Sequence, residues 1–95
     1  MITISDFALL VNQSFTIEFS DQDLILKLDE VKSSGKPYKE DAREPFSLLF
    51  SADASSGVLK QGNYELGNGT IGKQSIFLVP IGVEENTCHY EAIYN

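Results

Sequence analysis

Cys88 and His89 stand side by side, and a thiol next to an imidazole is the pairing that serves a nucleophile and its general base. The carboxylates also come in pairs: Asp21 and Asp23, Asp29 and Glu30, Glu84 and Glu85. Glycoside hydrolysis uses two carboxylates at a set separation across a sugar, and Ca²⁺ takes a loop of oxygens. Gly67-Asn68-Gly69-Thr70-Ile71-Gly72 is rich in glycine, as loops that cradle phosphate are. Tyr64, Tyr90 and Tyr94, with Phe77, could form an aromatic wall, since tyrosine offers a flat apolar body and a polar tip to a sugar or a peptide. Tyr38 sits in a charged stretch, where an aromatic ring would be exposed for contact.

Most of these chemistries fail on the elements that would have to position them. The closing stretch His89–Tyr94 alternates, with Tyr90, Ala92 and Tyr94 on one face and His89, Glu91 and Ile93 on the other. Neighbours in a strand point to opposite faces, so the thiol and the imidazole are separated, leaving a strand-edge Cys beside a surface or half-buried His. An enzyme would need His89, Glu91 and an acid from another strand to converge in a cleft. Asp21-Gln22-Asp23 lacks the further ligands and the closing Glu of a calcium loop. The glycine-rich stretch has no Lys-Ser/Thr and no following helix, and its Asn-Gly dipeptide marks a type I′ hairpin turn instead.

The elements follow from hydrophobic spacing. Thr3 and Asp6 have the spacing of a capping box, and Phe7, Leu10 and Val11 share one helical face, which predicts two or three turns of helix stopping at Asn12. So short a helix must pack on something. Phe15, Ile17 and Phe19 alternate with polar residues, and so do Leu24, Leu26 and Leu28, giving a hairpin over Ser14–Val31 with its turn at Ser20–Asp23. Lys32–Arg43 reads as a solvated loop. Pro45 opens a strand with Phe46, Leu48 and Phe50 inward, and a strand over Asn63–Leu66 places Tyr64 and Leu66 on one face. Lys73–Pro80 holds the continuous run Ile76-Phe77-Leu78-Val79, read as covered on both faces, so Phe77→Ala should cost about 3–5 kcal/mol. One helix and six strands with short connections leave no room for parallel crossovers. The expectation is an all-β domain over residues 1–95, an antiparallel six-stranded small barrel or sandwich with the helix plugging one end. An open sheet of this kind exposes edge strands that can pair with a partner or a second copy.

Composition removes other classes. The 95 residues carry 7 basic and 14 acidic side chains, a net charge of −7, with one Cys and one His. A single Cys forms no internal disulfide, and one Cys with one His makes no closed zinc site, so no metal or cofactor is expected. The acidic balance disfavours a nucleic-acid partner, and no apolar run is long enough to span a bilayer as a helix. The first residues show no signal-peptide pattern, which reads as a cytoplasmic protein.

The blocks Glu44-Pro45-Phe46-Ser47-Leu48-Leu49-Phe50, Gln61-Gly62-Asn63-Tyr64-Glu65-Leu66, Phe77-Leu78-Val79-Pro80-Ile81-Gly82 and Tyr90-Glu91-Ala92-Ile93-Tyr94-Asn95 carry a family likeness. The string resembles a family of short bacterial all-β domains of unknown function, with the specific part in residues 44–95 and a looser fit before it. The resemblance implies a stand-alone all-β protein, often encoded beside phage-tail-collar-like or other tail-fibre-like proteins, with no catalytic residue to carry over. The chain departs from the family pattern at Ser51-Ala52-Asp53 and at Gly67-Asn68-Gly69, loop positions that would alter a binding rim more than a core. The functional expectation is a non-enzymatic structural or protein-interaction module, with Tyr38, Tyr64, Tyr90 and Tyr94 as candidate contacts. The alternative is a barrel that holds a sugar or an apolar molecule among its tyrosines.

Overall fold

Alternation of large apolar with polar side chains sets the strands of the computed structural model, which describes residues 2–36 and 44–95. Helix α1 spans Ile4–Ala8. The strands are β1 Ser14–Glu18, β2 Asp23–Ser33, β3 Phe46–Asp53, β4 Gly62–Asn68, β5 Gly72–Glu84 and β6 Thr87–Tyr94, with a 3-10 turn at Ala54–Ser56. All neighbouring strands run antiparallel, in the order β1-β2-β3-β6-β5-β4, and β1 meets β4 to close a barrel. The all-β expectation with one short helix therefore holds in its barrel form. The open sheet with two free edges does not, because the ring closes.

Closure turns one side chain in two toward a common interior. Phe15, Ile17, Leu26, Leu28, Phe46, Leu48, Phe50, Ala52, Leu66, Ile76, Leu78, Cys88, Tyr90 and Ala92 are buried there. The helix covers one end, as expected. Its capping box joins Thr3 to Asp6, with the Thr3 amide donating to Asp6 Oδ2 over 2.8 Å. It is shorter than expected, however, at five residues. The helix is capped by Leu9, and the turns that follow close at Asn12 with a positive φ of 73°. Leu10 is buried from that turn, whereas Val11 is only half-buried. The Phe7 ring lies 6.4 Å from Phe15, 5.8 Å from Phe46 and 5.6 Å from Tyr94. Burying Phe7 and Leu10 is worth about 1.5–3 kcal/mol each, which holds a helix too short to stand alone.

Three local readings are corrected. Phe19 lies beyond the end of β1 and is 39% exposed, so it does not continue the buried row of Phe15 and Ile17. Phe77 is 44% exposed, because the barrel covers only the inner face of β5: Ile76 and Leu78 point in while Phe77 points out. Strand β5 also passes beyond Pro80 to Glu84, since a bulge at Ile81 lets the chain absorb the missing N–H and resume pairing at Gly82 with His89.

The turn chemistry is redistributed as well. Asn68 is paired with Gly72, and the loop between them holds three residues with the positive φ falling on Gly72. Asn68 Oδ1 accepts from the amides of Thr70 and Ile71, and its Nδ2 donates to the Ser14 carbonyl, so the side chain builds the loop and ties it to β1. The two-residue turn with both φ positive sits instead at Glu85 and Asn86, between the paired Glu84 and Thr87. Of the stretch read as a solvated loop, Lys32 and Ser33 belong to β2, and residues 37–43, with Tyr38, lie outside the described residues.

Candidate functional site

The barrel is closed unevenly. Strand β1 matches β2 over five register pairs but meets β4 at one, Thr16 with Gly67. Continuing that register by two residues sets Glu18 opposite Glu65, and like charges facing across a strand pair repel. Glu18 is in turn paired with Asp23 of β2. Three carboxylates therefore share one outward row on three adjacent strands.

One cation answers them. Lys73 of β5 lies beside Gly67, and its Nζ reaches Glu18 Oε1 at 3.3 Å and Glu65 Oε1 at 3.8 Å. It crosses the seam beside Gly67, where an added Cβ would meet Lys73 Cγ at 3.8 Å and the Thr16 carbonyl oxygen at 3.7 Å, both ordinary contact distances. All three charged side chains are well exposed, so each pair contributes at most about 1 kcal/mol and weakens with salt.

Beside this seam runs a groove of about 670 Å³ lined by Ile17, Glu18, Phe19, Tyr64, Glu65 and Lys73, among others. Its rims are the chain around the end of β1 and the β1-facing edge of β4. Exposed Phe19 and half-buried Tyr64 supply its aromatic surface. Sequence reading missed Glu18, Phe19, Glu65, Gly67 and Lys73 as a group. They come from the end of β1, from β4 and from β5, and no local spacing joins them.

The four candidate tyrosines have separate surroundings. Tyr64 lines the seam groove, with its hydroxyl donating to the Lys60 carbonyl over 2.6 Å. Tyr90 is fully buried, and its hydroxyl accepts from the Leu59 amide at 2.9 Å. Burial pushes its pKa up to about 12, with the Cys88 side chain adding to the rise and the Leu59 amide opposing it. Tyr94 stacks flat on Phe46, with centroids 4.7 Å apart, and packs with Phe7 at the helix end. Tyr38 lies outside the described residues. Phe77, the fourth ring of the expected wall, is on the outer surface.

Cys88 is buried and faces inward; it is not the edge residue expected. His89 points outward, so the thiol and imidazole lie on opposite sides of β6. His89 lines a shallow outer groove of about 810 Å³ with Asp29, Glu30, Ser51 and Ile81, between the bulges of β2 and β5. Among the described residues the His89 ring has no hydrogen-bond or ion-pair partner, and no group of three or more His, Cys, Asp or Glu is placed to hold a metal ion. Asp53 caps the 3-10 turn: its Oδ1 accepts from the Ser55 amide at 2.8 Å, and that bond lowers its pKa. Among the described residues no helix is long and apolar enough to cross a membrane.

A family model described as a domain of unknown function (DUF6916) matches residues 2–94. No curated protein and no solved structure matches the chain.

Proposed function

We propose that this chain, which belongs to the family described as a domain of unknown function (DUF6916), is a non-enzymatic protein-interaction module that works through the seam between β1 and β4. The observation that carries the reading is the single register pair, Thr16 with Gly67, by which the barrel closes. Past that pair, among the described residues, β4 is paired as a strand only with β5, and its other edge borders a groove. An extended segment laid there gains main-chain hydrogen bonds from the edge and side-chain contacts from Phe19 and Tyr64. The partner then supplies the strand that an open sheet would have offered at its edge.

The family likeness directs the search for that partner. The resemblance implies a family often encoded beside tail-collar-like proteins, so a subunit of a tail-like assembly is the first to try. The alternative, a ligand held among the tyrosines, has less support: Tyr90 is enclosed with its hydroxyl engaged, and Tyr94 is stacked between Phe46 and the helix. Catalysis by Cys88 with His89 is disfavoured by their opposite orientations.

The test is amide hydrogen exchange of the purified chain with and without a purified tail-collar-like protein. Added protection across residues 14–19 and 62–66 is the expected result. Binding that protects another face, or no binding, overturns the reading.

A further inference from the structure

Glu18, Glu65 and Asp23 place three carboxylates on one outward row, and Lys73 brings one positive charge to it. Among the described residues the charged groups lining the groove are Glu18, Glu65 and Lys73, one negative charge in excess, and Asp23 adds a further carboxylate on β2, next to Glu18 and outside that lining. The one cation is held by two exposed, salt-sensitive pairs and crosses the seam beside Gly67. Below the row, exposed Phe19 and half-buried Tyr64 give the groove an aromatic surface, with buried Ile17 behind them. A strand alternates its side chains, so one that enters this groove presents one set of residues to the carboxylates and the other to the rings.

Resting on the seam reading above, we infer that the occupant is an extended segment of another protein that alternates a basic residue with an apolar one. Its Lys or Arg neutralises the Glu18–Glu65–Asp23 row, and its apolar residues pack on Phe19 and Tyr64. Lys73 competes with the incoming cation: in the free protein it bridges the two glutamates, and in the complex it gives up part of that contact. A second copy of this chain fits less well, because its net charge of −7 opposes approach to an acidic row.

The experiment uses two labelled peptides and fluorescence anisotropy. One peptide alternates valine with lysine, and the other alternates valine with glutamate. The lysine peptide should bind the unaltered chain at least about tenfold more tightly, and added salt should shrink the difference. Glu18→Gln with Glu65→Gln should weaken the lysine peptide about fivefold or more, while Lys73→Met, which keeps an unbranched chain and removes the charge, should tighten it. Glu84→Gln with Glu85→Gln, at the turn after β5, removes the same charge elsewhere and should leave binding within about twofold.

An equal loss in both double variants means general attraction to an acidic protein and overturns the inference. Equal binding of the two peptides also overturns it and leaves strand addition standing. If neither peptide binds, or if N-methylation of alternate amides leaves the binding of a peptide unchanged, the seam reading itself fails. Light scattering that shows a dimer protected along residues 14–19 replaces the basic partner with a second copy.

Discussion

Tyr90 shows how a residue chosen for its surface chemistry can be a structural one. Its ring is fully buried and its hydroxyl accepts from the Leu59 amide, so it fastens the chain before β4 to strand β6. Tyr90→Phe leaves that amide without its partner and should cost about 1–3 kcal/mol in denaturant melts. The pH dependence follows from the raised pKa of about 12 against the usual 10.0. The neutral phenol is favoured in the fold, so the stabilisation is whole below pH 10. It is lost as pH rises from there through about 12, because the unfolded chain gives up its proton first. Melts of the parent and Tyr90→Phe should therefore converge over that range, and parallel curves would contradict the assignment. The phenylalanines separate in the same way. Phe50→Ala, at the edge-to-face contact with Phe15, should cost about 3–5 kcal/mol, whereas Phe77→Ala, on the outer face, should cost about 1 kcal/mol or less.

At the scale of elements, turn residues and turn geometry part company. The tight turn between β5 and β6 needs two positive φ angles and is built from Glu85 and Asn86, while the Asn-Gly dipeptide stands at a three-residue loop. Glu85→Asn with Asn86→Gly places the preferred pair where the geometry wants it and should raise stability by about 0.5–1 kcal/mol in thermal or denaturant melts. A loss would show that the Glu85 side chain matters in its own right. The reason Asn68-Gly69 misleads is that Asn68 spends its side chain on Thr70, Ile71 and Ser14, contacts that include a strand far away in the chain. The run Ile76-Phe77-Leu78-Val79 misleads for a related reason. An apolar outward residue interrupts the alternation without adding a second covered face. Where a strand keeps polar residues outward, as β1 does throughout and β3 does apart from Leu49, its inward residues were legible: Phe15, Ile17, Phe46, Leu48 and Phe50 are all buried. The separation of Cys88 from His89 was legible on the same ground, since it needs only that β6 be a strand.

For the molecule as a whole, closure is the property that alternation does not encode. Period-two patterning says which side chains share a face, but not which two strands meet to finish a ring. The seam group is therefore distant in sequence: Glu18 comes from the first hairpin, Glu65 and Gly67 from β4, and Lys73 from β5. Nothing near Glu18 in the chain announces a lysine across the seam. The same arrangement makes the barrel's stability uneven. Strand β3 lies between β2 and β6 with long registers on both sides, whereas β1 is short and meets β4 at one pair. Local opening should thus begin at the seam, and native-state hydrogen exchange should find the β4-facing amides of β1 far less protected than the central amides of β3 and β6. Because Lys73 supports the closure through exposed ion pairs, added salt should speed exchange at the seam and leave β3 unchanged. Lys73→Met should reproduce the effect of salt and abolish further response to it. Uniform protection around the ring would mean that β1 and β4 are joined as firmly as the other pairs. In that case a strand could enter only by displacing one already there, and the groove would lose its claim as the entry point.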